Sequence, residues 1–417
     1  MTVVEALCAK FEIAERIRSA AIYASERCAS IEYPEQGSVK VAMLAAFVDA
    51  GVNESDLAGS TGYGYDDAAR AAYEGLIARI FGTERALARL SLVSGTHAIV
   101  TALAACTPPG KHLIAVAGRP YDTLQNAICK APYSLVASGV AYHEVPLRDD
   151  ATIDLAAVLK LLAAAPDATL FLQRSRGYAP RPSLDIDACE RLCRAVKDAA
   201  PEARVLVDNC YGELVEAREP THVGADLVMG SLIKNLGGAL APGGGYVAGR
   251  ADLIERVTAR LYAPGLGAAL GPTFGFGRAF VQGLFQAPLV VEQTLRGLDF
   301  AAALFQELGY DVDPVPGARR TDIVQAIRLG DRDALVRFAQ GLQRAMPLNA
   351  RFRPEAGAVP GYTDPVIMSS GSFVGGATIE LSCDAPLREP FEVYLQGGTL
   401  VEHAMLGAIF AAQAVCG

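Results

Sequence analysis

Met229-Gly-Ser-Leu-Ile-Lys234-Asn-Leu-Gly-Gly238 closes an apolar strand and opens a glycine-rich turn that runs on into Pro242-Gly-Gly-Gly245. The chain favours arginine over lysine, and no lysine follows position 234. A solitary lysine behind an apolar strand, three residues past Ser231, reads as a side chain kept for its primary amine. An amine with close backbone access can form a Schiff base, which a guanidinium cannot. Upstream, Val205-Leu-Val-Asp208-Asn209 sets a carboxylate at the end of another buried strand. From about residue 86 to 250, apolar strands at His112–Val116, Thr169–Gln173, Arg204–Val207 and Asp226–Met229 alternate with helices. One of these helices, Asp185–Ala199, turns Ile186, Cys189, Leu192, Cys193 and Val196 inward. The alternation predicts an α/β fold with a mostly parallel sheet covered on both faces.

The flanking regions read differently. Residues 1–60 form a helical segment in which Phe11, Ile13, Ile17, Ala20 and Ala21 approximate one face, followed by a helix from Ser38 to Ala50 that Gly51 ends. After the loop Gly59-Ser-Thr-Gly-Tyr63-Gly-Tyr65, Asp66 is placed to cap a helix with Ala69, Tyr73, Ile77 and Ile80 inward. Helices follow at Ala251–Leu261 and Arg278–Leu308, and Gly309–Arg320, with two prolines, reads as an interdomain connection. Beyond it, strands at Asp322–Leu329 and Ala377–Leu381 and helices at Asp331–Ala345 and Thr399–Ala414 suggest a small α+β domain. The expected division is 1–60, a large domain over 61–310, and a C-terminal domain over 311–417.

Composition narrows the function. With 51% hydrophobic and 20% charged residues the chain is globular in balance, and a net charge of −9 without any basic run argues against nucleic acid. Nine scattered cysteines form no CxxC pair and no zinc spacing, so no metal is expected, and the odd count fits a reducing compartment. Charges interrupt the N-terminal residues where a signal peptide would be apolar, and no apolar run is long enough for a bilayer. A soluble, cytoplasmic protein is the expectation.

The motifs then suggest a cofactor. Ser94-Gly95-Thr96-His97 opens the helix Ala98–Cys106, and free N–H groups at such a start attract an anion. The Ser231 hydroxyl can join the same phosphate. A buried Asp208 beside a pyridine nitrogen keeps that nitrogen protonated, and a protonated ring is an electron sink for a carbanion at a substrate α-carbon. Aspartate first and lysine second, each ending an apolar strand, is the order expected for pyridoxal phosphate. Tyr121 follows a strand, where its ring can stack on the cofactor or simply anchor a turn. Tyr63, Tyr65 and Arg70 suit phosphate binding and proton delivery, from a loop able to reach across a dimer interface. His97 can cover the cofactor or just pack at the helix start. Ser175 and Arg174, in Gln173-Arg-Ser-Arg176-Gly-Tyr178, are weaker candidates as donors to the phenolic oxygen.

Four motifs, Tyr63-Gly-Tyr-Asp-Asp67-x-x-Arg70, Ser94-Gly-Thr-His97-Ala98-Ile99, Pro120-Tyr-Asp-Thr123 and Ser231-Leu-Ile-Lys234-Asn235, resemble the methionine γ-lyase-like, "aluminium resistance" family. That family is related to cystathionine β-lyase and has the fold-type I architecture. The likeness continues through Gln282-Gly-Leu-Phe285-x-Ala287-Pro288, Ser369-Ser-Gly-Ser372-Phe373 and Tyr394-Leu-Gln-Gly-Gly398, nearly the whole chain. It implies Lys234 as Schiff-base lysine, Asp208 as pyridine partner and Ser94 to Thr96 as phosphate cup. It also implies a homodimer or homotetramer in which the Tyr63–Arg70 loop enters a neighbour's site. Arg388, in Ala385-Pro-Leu-Arg388-Glu-Pro, is the candidate for the substrate carboxylate, with an exposed salt bridge as the alternative. Gly243, Ala269, Gly277, Leu289 and Gly375 stand where the family is expected to carry larger or polar side chains, several of them in segments expected to border the substrate. The expected activity is elimination of a β- or γ-substituent, by default a thiol, from an amino acid, with Tyr121 or Tyr65 as general acid. Transamination or aldol cleavage on the same scaffold, elimination of halide, and a cofactor-binding regulator without turnover are the alternatives.

Overall fold

The computed structural model describes residues 1–417. Its N-terminal layer is three helices, α1 (Val3–Lys10), α2 (Glu15–Cys28) and α3 (Pro34–Ala50). Pro34 sits in the first turn of α3, where its missing N–H costs nothing, and Gly51 ends the helix at a φ of 59°. The helix therefore starts earlier than the Ser38 expected from its apolar spacing. Phe11 and Ile13 lie outside a regular helix, in the break between α1 and α2, where the Phe11 ring meets Phe410 edge-on at 5.1 Å. Helix α4 (Ala68–Ile80) buries Ala69, Tyr73, Ile77 and Ile80 as expected, but Asp67 caps it. Asp66 instead takes a φ of 54° and turns the chain into the helix.

A seven-stranded sheet follows, built from β1 (Arg85–Arg89), β2 (His112–Ala115), β3 (Ala141–Glu144), β4 (Thr169–Gln173), β5 (Arg204–Asp208), β6 (Leu227–Ser231) and β7 (Gly245–Gly249). The strand order is β1-β7-β6-β5-β4-β2-β3. Strands β2 to β6 are parallel, as the alternating pattern requires, whereas β7 runs antiparallel to both β6 and β1. The reversal has a plain cause. Parallel neighbours need a long crossover, and the Lys234–Gly244 segment joins β6 to β7 with no helix of that kind. Gly244, at a φ of 102°, lies against β1, where a Cβ would stand 2.6 Å from the Arg89 carbonyl oxygen. The four apolar strands read from sequence are β2, β4, β5 and β6. Strands β1, β3 and β7 lack such an apolar run: β1 is bounded by Arg85 and Arg89, β3 reads Ala-Tyr-His-Glu, and β7 begins and ends in glycine.

Helices α5 (Gly95–Cys106), α6 (Asp122–Gln125), α7 (Leu155–Ala164), α8 (Ile186–Ala199) and α9 (Ala251–Leu261) accompany this sheet. The α8 face is the one read from sequence, and Asp185 caps it at 2.7 Å from the Ala188 N–H. The long α10 (Gly277–Glu307) packs against both α2 and α3, so the N-terminal helices share one apolar core with it and with the C-terminal region.

The C-terminal region is a second, antiparallel sheet of order β10-β11-β12-β9-β8, with α11 (Arg332–Gln343) and α12 (Val401–Cys416) packed on each other beside it. Its strands are β8 (Asp311–Asp313), β9 (Val324–Arg328), β10 (Val366–Ser370), β11 (Ser382–Pro386) and β12 (Glu392–Gln396). Strand β8 falls inside the stretch read as a connection. Residues 377–381 are a series of turns, not the expected strand. Ala377, Ile379 and Leu381 are buried in alternation, which imitates a strand, but the Glu380 carboxylate accepts from Phe373 N and Val374 N and folds the segment back.

Candidate active site

The C-terminal ends of β2, β4, β5 and β6 point to one place, as open α/β sheets direct their ligands. A cavity of about 170 Å³ opens there, with Lys234, Asp208, Tyr121 and Thr96 in its wall. Each enters from a different element: Thr96 from the first turn of α5, Tyr121 from the loop after β2, Asp208 from the end of β5 and Lys234 from the β6–β7 turn.

Lys234 is half-buried, with its Nζ 3.6 Å from the centroid of the Tyr211 ring. Burial works against the ammonium, but the acidic groups around it, Cys210, Tyr211 and Asp208, more than offset that and hold its pKa above the usual lysine value. Tyr211 itself sits at a φ of 74°, a costly conformation for a bulky side chain. Its carbonyl oxygen accepts from Asn235 Nδ2 at 3.1 Å and from Ile323 N at 3.1 Å, which holds the backbone there.

Asp208 is 3% exposed. Its Oδ1 accepts from the Cys210 N–H at 3.1 Å, and no cationic side chain is within 4.0 Å. Burial raises its pKa, and the positive charge of Lys234 and the Cys210 N–H only partly offset the rise. A buried carboxylate in that state has room for one more N–H donor. Tyr121 is pinned by its backbone, whose N–H donates to Gln173 Oε1 at 3.0 Å, while its hydroxyl lies 3.4 Å from Thr96 Oγ1. Burial pushes the Tyr121 phenol well above its ordinary pKa, so the group is a proton carrier at neutral pH.

The α5 N-terminus reaches the cavity through Thr96. Ser94 Oγ caps the helix by accepting from His97 N at 3.1 Å. A Cβ on Gly95 would stand 3.1 Å from the Ser231 Cβ and 3.3 Å from the Cys210 Sγ, so a side chain here would fill the approach. Ser231 is buried beside it. His97 is turned away from a covering role by its Nδ1, which accepts from Val93 N at 3.2 Å.

Tyr63 and Tyr65 lie elsewhere. They are exposed by 76% and 59%, and neither lines the cavity of its own chain. Arg70 is buried and donates through one nitrogen to Gly64 O at 2.5 Å and Gly271 O at 2.7 Å, so within its own chain it staples this loop in place. Arg388 stands outside the cavity, 3.2 Å from Asp364 and 3.4 Å from Asp122. Ser175 donates to Asp322 at 2.6 Å, and Arg174 forms a fully buried pair with Glu216. Both side chains make scaffolding contacts, and Ser175 also lines the cavity. None of Gly243, Ala269, Gly277, Leu289 and Gly375 lines the cavity within this chain. Gly277 explains its own residue type, since a Cβ would lie 2.3 Å from the Ala69 Cβ.

Three aromatic residues escaped the sequence reading. Tyr211 shares the asparagine-containing turn after Asp208, and its place beside the lysine amine has no periodic signature. Tyr178 stacks on Tyr394 of β12 with centroids 5.5 Å apart, and Tyr362 approaches Tyr178 at 5.5 Å. Tyr362 reaches the cavity from the C-terminal region, a contact that only tertiary folding creates.

The methionine gamma-lyase family model matches residues 15–416. A candidate cystathionine beta-lyase involved in aluminum resistance from Clostridium acetobutylicum is 38% identical, with a TM-score of 0.94 over 99% of this chain and 98% of that one. A carbon-sulfur lyase involved in aluminum resistance from Clostridium novyi NT is 36% identical, with a TM-score of 0.92 over 98% of both chains. An uncharacterized protein of Bacillus subtilis, YnbB, is 43% identical over 356 residues, 84% of each chain.

Proposed function

This chain belongs to the methionine gamma-lyase family of pyridoxal phosphate-dependent carbon–sulfur lyases, and we propose that it eliminates a β- or γ-substituent, by default a thiol, from an amino acid at Lys234. The observation that carries the reading is the convergence of a half-buried amine, a buried carboxylate short of a partner and a pinned phenol on one cavity. The residues fit the cofactor. Asp208 would hold the ring nitrogen, Tyr121 the ring face, and the α5 N-terminus with Gly95, Thr96 and Ser231 the phosphate. When bound, the cofactor supplies an aldehyde for amines and a protonated ring that accepts the electron pair left at the substrate α-carbon.

The chain's own groups divide the remaining work. The Lys234 amine takes the α-proton, and the Tyr211 ring against its Nζ limits where that nitrogen can travel. Asp208, kept from water, acts on charge more strongly than it would in solvent. Tyr121 carries a phenolic proton at neutral pH and gives it to the departing thiolate sulfur. Arg388 receives the substrate carboxylate by leaving Asp364, which holds it only through a long contact, while it stays beside Asp122.

The reading extends to an assembly in which a second copy contributes Tyr63 and Tyr65, with Tyr65 as the alternative proton donor. The exposed rings of Tyr63, Tyr65, Phe274 and Phe276 support it, because apolar groups gathered on one surface mark an interaction site. The buried Asp67 and Arg70 hold that loop rigid.

The test is direct. Protein mixed with pyridoxal phosphate and reduced with borohydride should carry one cofactor mass on the peptide containing Lys234, and Lys234→Ala should carry none. Attachment to another lysine, or undiminished labelling of the variant, overturns the assignment. Release of thiol and ammonia with a 2-oxo acid identifies elimination, whereas dependence on an amino acceptor identifies transamination.

A further inference from the structure

A second cavity, of about 450 Å³, adjoins the first and shares Tyr121, Gln173 and Tyr178 with it. Four cationic side chains line it: Arg119, Lys130, Arg176 and Arg388. Asp122 is the one carboxylate in its wall, and it is engaged by Arg388. Arg119 and Lys130 have no carboxylate within 4.0 Å, so their charge faces the cavity unneutralised. Arg176 adds an observation of a different kind. Its side chain is 3% exposed and meets Asp313 through one terminal nitrogen, while its Nε is buried without any hydrogen-bond partner. A buried guanidinium N–H left unpaired is costly unless something else accepts from it.

Building on the lyase reading, we propose that this annex binds a remote oxyanion on the substrate, so that the enzyme's amino acid carries an acidic group at the far end of its leaving thiol. The position suits that role. The annex begins where Tyr121 and Tyr178 end the wall of the catalytic cavity, on the side of Arg388 and not on that of the α5 N-terminus. Arg388, at the border, takes the α-carboxylate, and Arg176, Arg119 and Lys130 lie beyond it for the second charge. A planar carboxylate matches a guanidinium fork, which Arg119 can offer in full while Arg176 keeps one terminal nitrogen on Asp313. Sites built around charged hydrogen bonds discriminate strongly against neutral isosteres, because the unmatched polar groups stay buried.

The experiment compares S-(2-carboxyethyl)cysteine with its primary amide, which has nearly the same shape and no distal charge. Binding to the cofactor-loaded enzyme is measured by calorimetry, and thiol release is measured separately. The acid is expected to bind on the order of tenfold more tightly, with the preference falling as salt is raised. A phosphonate analogue shows whether the annex prefers a carboxylate or a more highly charged oxyanion. Arg176→Gln should bring the acid-to-amide ratio near one. Because Arg176 is buried and paired, Arg119→Gln combined with Lys130→Gln, both at exposed positions, provides a second variant expected to lower the same ratio several-fold. Equal affinity for acid and amide, or binding of neither, overturns the annex. A preference for the acid without release of thiol keeps the annex and overturns the lyase reading instead.

Discussion

Asp67 sits where one carboxylate does the work of several turns, and its removal should loosen the Tyr63–Tyr65 loop. Its two oxygens accept from Ser60 N at 2.9 Å, Ser60 Oγ at 2.6 Å, Arg70 N at 2.8 Å and Thr273 N at 2.8 Å, with Thr273 Oγ1 at 2.9 Å. The residue is 1% exposed. Burial alone would raise its pKa, but the Ser60 hydroxyl and the Thr273, Arg70 and Ser60 N–H groups outweigh it and bring the value down to about 2. At roughly 1.4 kcal/mol per pH unit, the fall from the ordinary aspartate value of 3.8 is worth at most about 2.5 kcal/mol, and solvent near the loop reduces this to about 1–2 kcal/mol. The sign follows from the lowered pKa. The stabilisation is present in full above pH 4 and is lost as pH falls toward about 2. Asp67→Asn keeps an acceptor for the helix cap and should cost about 1–2 kcal/mol at pH 7. Asp67→Ala also strands Ser60, Arg70 and Thr273 donors and should cost about 3–4 kcal/mol. Urea unfolding at pH 7 and pH 3 measures both, and the deficit of the asparagine variant should shrink at the lower pH. An asparagine deficit of equal size at the two pH values would refute the reasoning.

Two further outcomes follow from buried charge. Arg174→Met leaves Glu216 buried with only Arg319 and the Ile186 N–H as partners, so urea unfolding should show a loss of about 3–5 kcal/mol; a loss under 1 kcal/mol would mean the pair is dispensable. Glu213 is completely buried, and burial lifts its pKa to about 8 despite its own backbone N–H and the charge of Lys234. The unfolded chain gives up that proton more readily, so this group costs stability increasingly from the ordinary glutamate value of 4.5 up to about 8. Glu213→Gln, which keeps an acceptor for the Tyr246 hydroxyl, should stabilise the protein by about 2–3 kcal/mol at pH 7 and by little at pH 5, as read from melting curves across pH.

Much of the site was legible because its residues end buried strands. Asp208 and Lys234 follow β5 and β6, and parallel pairing of those strands brings them together without any long-range information beyond the apolar pattern. The Ser94–Thr96 turn was legible for a similar local reason, a glycine at a helix start. By contrast, the aromatic wall depends on Tyr178 meeting Tyr394 and Tyr362, which come from strands and loops of the other sheet. No periodicity links residues so far apart in the chain. Ala377–Leu381 shows the opposite failure, in which a local apolar alternation suggested a strand and the Glu380 carboxylate imposed turns.

What the sequence determined by itself is therefore the layered α/β scaffold and the strand-end positions of Asp208 and Lys234 with the Ser94–Thr96 helix start, since each follows from short-range pattern and chemistry. Only the tertiary structure decided that β7 runs antiparallel and that Arg70 is spent on its own loop. It also decided that a second cavity, lined by four cationic side chains, adjoins the one holding Lys234. The physical reason is common to all three: hydrogen-bond partners and cavity walls are recruited across the fold, and their cost or gain exists only once the chain has closed around them.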